Sequence, residues 1–382
     1  MTPSSAKDFA EYLIAFRHEL HRFPELSSHE FATTQRIRQQ LEHHQIRILD
    51  YPLKTGLVAE VGPKEGPLLV LRSDIDALPI EEQSDVSFRS EHPGVMHACG
   101  HDFHSAAALG AAILLKQQEH LLPGRVRILF QAAEEIGIGA REIVATGALR
   151  DAHAIFGIHN DPSLPAGTIG CKAGPLTAAV DRFALTIQGI GSHAAKPEQS
   201  LDPIVIASQL VSSLQTIISR NTPSADNAVL SITQLHSGSA WNVIPDQAWL
   251  EGTVRSFSVQ ARQLIEQRFQ QIVQGVAAAF GVKIEIEWQA GPPSVVNDPA
   301  WADFALHHAA QQGLTAQVVE ASPIGEDFSY YLQQTPGAFI MVGTGEPYAL
   351  HHPAFRINDQ VLVPTANYLA KLALAALSAP QK

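Results

Sequence analysis

The chain is poor in cysteine, in basic residues and in long apolar runs, and each shortage closes off a class of protein. Two cysteines in 382 residues, Cys99 and Cys171, neither staple a fold nor build a cysteine-rich structural zinc site. The 26 Lys and Arg are outnumbered by 38 Asp and Glu, for a formal charge of −12. They form no basic cluster, which argues against a nucleic-acid or anionic-membrane partner. The longest apolar run, Ala106 to Leu115, is about half of the ~20 residues that a bilayer span needs. Lys7, Asp8 and Glu11 interrupt the apolar pattern of Met1 to Arg17, so that stretch does not read as a signal peptide. A cytoplasmic, soluble protein is the expectation.

Several catalytic signatures are missing as well. The sequence has no P-loop, no His-Glu-x-x-His and no Gly-x-Ser-x-Gly, so a single-zinc thermolysin-like site and a serine elbow have no anchor. Gly189-Ile-Gly-Ser-His-Ala194 formally matches a dinucleotide fingerprint after a strand. Pro197 follows at once, however, and no acidic residue lies about twenty positions on, which rejects that reading.

What is present is an apolar share of 45%, enough for a sizeable core, in a chain whose length suggests two or three domains. Residues 6–43 read as one or two amphipathic helices broken at Pro24. Strands are expected at Leu68 to Leu71, Arg125 to Ala132 and Ile155 to Ile158, with an Ala/Leu-rich helix from Ser105 to Lys116. This alternation predicts a mainly parallel sheet covered on both faces. From Ala179 the order becomes β-α-β-β-α-β, ending at Trp288, as in a ferredoxin-like unit. After Gly291 the α/β character returns, with a strand at Ala338 to Val342 and a helix from about Pro364 to Leu377. The fold expected is an α/β domain split by an inserted α+β domain, with boundaries 1–178, 179–290 and 291–382.

The 18 histidines are unexplained by composition, and the densest group is Met96-His-Ala-Cys-Gly-His-Asp-Phe-His104. Cys99 and His101 can converge on one metal if the segment is extended. Phe130-Gln-Ala-Ala-Glu-Glu-Ile-Gly137 puts two adjacent carboxylates after an apolar strand. One of them could ligate a metal while the other acts as a general base. Asp74 and Asp76 end a strand and point the same way. Gly157-Ile-His-Asn160 is read as following a strand, and Leu350-His-His-Pro353 as a loop. Alone, the Cys-x-His segment is better read as a solvated His-rich turn, and each of the others is equally well read as a solvated loop. Four of the five share an address, the carboxyl ends of strands where open α/β sheets bind ligands. A mixed N/O/S donor set there suits zinc, manganese or a similar ion, and its size suggests two.

These motifs resemble the M20 metallopeptidase family, and within it the subfamily D amidohydrolase/aminoacylase branch of hippurate hydrolases, indole-acetyl-amino-acid hydrolases and N-acetyl-diaminopimelate deacetylases. The resemblance runs nearly end to end. It includes His18-Glu-Leu-His-Arg-Phe-Pro-Glu-Leu26, Arg72-Ser-Asp-Ile-Asp-Ala-Leu-Pro-Ile80, Gln131-Ala-Ala-Glu-Glu135, Gly191-Ser-His-Ala-Ala195, Asn242-Val-Ile-Pro-Asp246, Gly252-Thr-Val-Arg255 and Gly325-Glu-Asp-Phe328. It implies a zinc-peptidase-like catalytic domain and an inserted lid and dimerisation domain, hence a homodimer. It also implies two divalent cations per subunit, Zn2+ or Mn2+ with Co2+ or Ni2+ as alternatives. Cys99 would bridge them, with His101 and Glu135 on one side and His159 and His351 on the other. His351 rather than His352 matches the family's Leu-His-x-Pro pattern. Glu134 would be the general acid/base and Asp76 a carboxylate steadying the site. His193 would reach across the dimer to the oxyanion, while Arg255 and Asn242 would recognise the substrate carboxylate. The activity implied is hydrolysis of small N-acyl amino acids by cation-activated water. A dipeptidase or exopeptidase of the same family is the alternative, and an inactive binding protein a distant one.

Overall fold

The protein is described here by a computed structural model that covers residues 5–379. Two compact units emerge. The first comprises Met1–Leu176, Val295–Glu320 and Asp327–Lys382, and the second comprises Thr177–Ser294 with Ala321–Glu326.

The first unit is built on an eight-stranded sheet. From edge to edge its strands are Arg47–Leu49, Leu57–Val61, Arg125–Gln131, Leu68–Asp74, Ala152–Asp161, Gly337–Gly343, Thr168–Cys171 and Thr315–Val318. The middle four run parallel to one another. Leu57–Val61 pairs antiparallel with Arg125–Gln131, and Thr168–Cys171 antiparallel with Gly337–Gly343. Both faces are covered, and the sequence shows why. In Leu68–Asp74, Leu69 and Leu71 join one apolar cluster while Leu68 and Val70 join another, because successive strand side chains point to opposite faces. The first cluster takes in the helices Ala6–Arg22, Phe31–His43, His101–Gln117, Pro299–Gln311 and Leu362–Leu377; the second takes in Gly139–Thr146.

The helix His101–Gln117 is buried along almost its whole length, so it is apolar all round rather than amphipathic. Gly110 lets its neighbours come close. A Cβ there would sit 2.7 Å from Leu13 Cδ1 and 2.8 Å from Ala366 Cβ. Among the described residues one helical stretch, Asp359–Leu377, is long and apolar enough to cross a membrane, and 61% of it is buried inside the protein. It is a core helix of this unit.

Two of the differences from the sequence reading bear on the donors. The central helix starts at His101, not Ser105, because Gly100 takes the left-handed N-cap conformation (φ 84°). Ala152–Asp161 extends past Ile158, so His159 lies inside a strand, not after one.

The second unit has the order β-α-β-β-α-β. Its antiparallel sheet runs Ala228–Ser237, Gln247–Ser256, Ala179–Gln188, Lys283–Ala290, the ferredoxin-like arrangement. Helices Pro203–Thr216 and Val259–Phe280 pack Leu210, Leu214, Ile265 and Phe269 into a core with Phe183 and Leu250. Ala321–Glu326 joins this unit, Ala178 N donating to Ile324 O.

Candidate metal centre

The donors collect at the carboxyl ends of the parallel strands, with one exception supplied by a loop. Asp74 ends Leu68–Asp74, and Glu134 and Glu135 follow Arg125–Gln131. His159 lies near the end of Ala152–Asp161, and Cys99 and His101 straddle Gly100 at the start of the buried helix. A Cβ on Gly100 would fall 2.4 Å from Asn160 Nδ2, so the tight turn requires glycine both for its φ and for its space. Asn160 holds that turn, donating to Cys99 O at 2.5 Å. His351 comes from the loop after Gly337–Gly343.

Cys99 belongs to two donor groups. Ligand atoms of Cys99, His101 and His159 lie within 4.8 Å of one another, and so do those of Cys99, Glu135 and His351. His159 Nε2 is 3.4 Å from Cys99 Sγ, His351 Nε2 is 3.6 Å from Glu135 Oε2 and His101 Nε2 is 3.8 Å from Glu135 Oε1. The structure thus brings all five expected ligands together. It groups His101 with His159 and Glu135 with His351, and it also places His101 with Glu134 and Glu135 in one group, the pairing of His101 with Glu135 that the resemblance implies.

Both buried imidazoles are oriented by their other nitrogen. His101 Nδ1 faces Asp76 O at 2.9 Å, and His159 Nδ1 faces Asn160 O at 2.7 Å. In each case Nε2 turns towards the cluster, as outer hydrogen bonds to metal-binding histidines do. Asp76 is a supporting carboxylate here. Its Oδ2 accepts from Ser27 Oγ at 2.7 Å and from Glu135 N at 3.0 Å. Glu134 Oε1 accepts from Asp327 N at 3.4 Å, and the turn leading to it is strained, with Ala133 at φ 56°. Glu30 holds that turn by accepting from Ala133 N.

Charge explains what this centre is built for. Burial, and after it Glu135, Glu134 and Asp74, push the Cys99 thiol well above its usual range. Burial also works against a charge on His101, yet Asp74, Asp76 and Glu135 outweigh it and lift that ring to about 10. Burial raises Glu135 to about 7 against the pull of His101. His101 Nε2 and Glu135 Oε1 are buried without a hydrogen-bond partner, an arrangement that native cores avoid unless something else satisfies them. Thiolate, imidazole and carboxylate converging on such orphaned atoms fit divalent cations of the zinc and manganese kind.

Sequence reasoning missed the frame around the donors. Asp74 is held by Arg72 Nη1 at 2.5 Å and by His104 Nδ1 at 2.6 Å. Arg72 also donates to Asp327 at 2.9 Å and to Gln131 at 2.8 Å. All five residues are buried. A signal was available, since His104 and Asp327 both lie inside quoted motifs.

His193, Asn242 and Arg255 lie in the second unit, and the structure brings only two of them together. His193 pairs with Val243 across a two-residue ladder, and Ala194 N donates to Asn242 O at 3.1 Å. Arg255 sits at the far end of Gln247–Ser256, opposite Val180, whereas Gln247 lies opposite Gln188. At ~3.3 Å per residue those strand ends are roughly 26 Å apart. The Arg255 guanidinium is half-buried, with burial lowering its pKa, and no hydrogen bond or ion pair to it is found among the described residues.

The comparisons with known proteins agree with this chemistry. The model of peptidase family M20/M25/M40 matches residues 70–375. N-acetylcysteine deacetylase of Bacillus subtilis (strain 168) is 48% identical over 373 residues, which is 97% of this chain and 98% of that protein. IAA-amino acid hydrolase ILR1-like 4 of Arabidopsis thaliana is 36% identical over 385 residues, covering 98% of this chain and 87% of that one. The crystal structure of the Bacillus subtilis YXEP protein, described as a dinuclear metal binding peptidase of the M20 family, aligns with a TM-score of 0.87. Its identity is 46%, over 97% of this chain and 99% of that one. The protein therefore belongs to peptidase family M20/M25/M40.

Proposed function

We propose that the protein is an amidohydrolase that splits N-acyl amino acids into a carboxylic acid and a free amino acid. The observation that carries this reading is the shared thiol: Cys99 stands in both donor groups, as a bridge between two cations requires. When bound, two divalent cations, zinc or manganese with cobalt or nickel as alternatives, polarise the amide carbonyl and acidify a water. His101, His159, Glu135 and His351 complete the donor set, and Asp76 keeps His101 turned towards it. The relatives named for N-acetylcysteine and for indole-acetyl amino acids support a small acylated amino acid as substrate.

Glu134 is the proton carrier. It takes a proton from the attacking water and delivers it to the leaving amine. The unpaired, half-buried Arg255 suits the substrate carboxylate, for which an Arg fork is well matched. His193 Nδ1 accepts from Ala195 N at 3.0 Å, so its Nε2 is left to donate to a developing oxyanion. Because His193 and Asn242 share a corner remote from Arg255, a second copy that lends both residues to its neighbour's site accounts for all three. A homodimer through the inserted unit follows from this reading. A reducing compartment such as the cytoplasm suits a centre that oxidation of Cys99 would disable.

The test is a panel of N-acetyl and N-benzoyl amino acids, with dipeptides alongside, assayed with each of the four metals added. Metal-dependent release of free amino acid is expected from the acyl series. Glu134→Ala is expected to keep its metal, by elemental analysis, and to lose hydrolysis by about three orders of magnitude or more. Near-normal turnover by that variant would remove Glu134 from the mechanism, and a preference for dipeptides would favour an exopeptidase.

A further inference from the structure

Glu134 stands between two backbone N–H groups, each fixed by a buried carboxylate. On its N-terminal side, Ala133 N donates to Glu30 Oε1 at 2.9 Å. On its C-terminal side, Glu135 N donates to Asp76 Oδ2 at 3.0 Å. One short stretch of chain serves both anchors. Ser27 Oγ donates to Asp76 Oδ2 at 2.7 Å, and Ser28 N donates to Glu30 Oε1 at 2.9 Å. That stretch is fastened to the chain just beyond Asp76, Ala77 N donating to Glu25 O at 2.8 Å. Asp76 has a further part in the centre, its backbone oxygen facing His101 Nδ1 at 2.9 Å. Glu30 has no such second duty. It is fully buried, and no ion pair to it is found among the described residues. Burial, with the charge of Asp76 adding to it, raises its pKa above the ordinary carboxylate value. What Glu30 holds is Ala133, whose φ of 56° is a backbone state that a residue with Cβ keeps only where its surroundings impose it.

We infer that Glu30 is a positioning residue for the proton carrier: by accepting from Ala133 N it holds the left-handed turn that aims the Glu134 carboxylate. The inference rests on the amidohydrolase reading, in which Glu134 moves the proton. Turning Ala133 out of its left-handed state rotates the chain at the Cα immediately before Glu134, so the carboxylate is displaced. Proton transfer falls steeply with such a displacement, because the carboxylate has to lie within hydrogen-bond reach of the attacking water. Glu135, the neighbouring donor, is anchored separately through Asp76. Metal and substrate binding therefore survive the loss of the Glu30 contact. The role needs an acceptor oxygen at the right reach and does not need a charge. A part played only in starting the helix Phe31–His43 would instead be filled equally well by aspartate, which is among the best residues at a helix N-cap.

Two variants separate reach from charge. Glu30→Gln keeps an acceptor oxygen at the same distance and loses the charge. Glu30→Asp keeps the charge and is one methylene too short for Ala133 N. Glu30 is the N-cap residue of Phe31–His43, where aspartate is well tolerated, so the fold is retained. With an N-acetyl amino acid, kcat of metal-loaded Glu30→Asp should fall roughly ten- to hundredfold. Its KM, and its metal content by elemental analysis, should stay at the wild-type level. Glu30→Gln should turn over like the wild type. Hydrogen exchange read by mass spectrometry supplies a measurement that needs no turnover. Peptides containing Ala133 should exchange faster in Glu30→Asp than in either the wild type or Glu30→Gln. An unchanged kcat in Glu30→Asp, an equal loss in both variants, or a loss explained by missing metal would overturn the inference. If the wild type hydrolyses no N-acyl amino acid, the proposed function falls, and the exchange pattern still decides whether Glu30 fixes the turn.

Discussion

Cys99 has no way to ionise unaided. Burial and the carboxylates of Glu135, Glu134 and Asp74 hold its proton on, and Asp74, Asp76 and Glu135 keep His101 protonated up to about 10. Cation binding must expel both protons, because the ligating forms are thiolate and neutral imidazole. The sign follows directly: lowering the pH favours the protonated donors, so metal affinity rises with pH through the neutral range. Calorimetry of zinc binding at pH 7 in buffers of different ionisation enthalpy is expected to show about two protons released from Cys99 and His101, with a further fraction from Glu135, which burial raises to about 7. Release of none would mean that these groups are not the ligands. His351 shows the complementary residue-scale cost. Its left-handed backbone (φ 65°) is a position where a side chain with Cβ is strained by on the order of 1–2 kcal/mol. Glycine would relieve the strain and forfeit the donor.

At the scale of elements, the metal centre is held by how the helices Ala6–Arg22 and His101–Gln117 are fastened. His21 sits between Asp102 Oδ2 at 3.0 Å and Glu82 Oε1 at 3.1 Å, and Arg17 also donates to Asp102. Burial opposes a charge on His21, yet Asp102 and Glu82 prevail and raise it from its ordinary 6.5 to about 9. A raised folded-state value means that this stabilisation is complete below about 6.5 and is lost as the pH climbs through about 9. The melting temperature of the metal-loaded protein should therefore fall by a few degrees between pH 7 and pH 10. His21→Gln should melt lower at pH 7 and show a flatter profile. An equally steep profile in that variant would place the titrating group elsewhere. The Gly100 turn is the other fastening. Gly100→Ala, strained at φ 84° and driven against Asn160, is expected to cost about 1–3 kcal/mol and to lower bound metal, read by thermal melting and elemental analysis.

Those fastenings also mark what a sequence shows and what it hides. The donors were legible because Cys, His and Glu collect next to apolar strands, where ordinary surface loops would not concentrate them. The strand ends themselves were harder to place. His159 continues its strand because residues on both faces of Ala152–Asp161 are buried, so no polar alternation marks where the strand stops. The edge strands Arg47–Leu49 and Thr315–Val318 escaped notice because they are three and four residues long and only half-buried or exposed. Arg72 and Asp327 are 255 positions apart, and no local pattern announces such a pair. The β-α-β-β-α-β insert was plainer because strands such as Lys283–Ala290 alternate between a more buried and an exposed face.

For the whole molecule, the separation of Arg255 from the His193 corner has a direct experimental counterpart. On the proposed homodimer, His193→Ala and Glu134→Ala proteins should each be nearly inactive. Mixing and re-associating them at equal concentrations should restore about a quarter of wild-type activity. Random pairing of subunits makes half the dimers hybrid, and one of the two sites in each hybrid carries intact copies of both residues. Absence of any recovery in dimers shown to have exchanged subunits would count against a site shared between copies.

The catalytic unit is written in three pieces of chain, with the contiguous stretch Thr177–Ser294 lying between the first and second. Translation therefore delivers Cys99, His101, Glu135 and His159 before the insert, and His351 only well after it. Domains tend to fold as they emerge from the ribosome, and the insert has a core of its own, so it can be folded before the fifth ligand has been made. A nascent chain can offer cations an incomplete set of donors only. The Cys99–His101–His159 group can be complete before the insert is made, whereas the Cys99–Glu135–His351 group waits for the last piece of chain, so the two halves of the centre become available at different stages of synthesis.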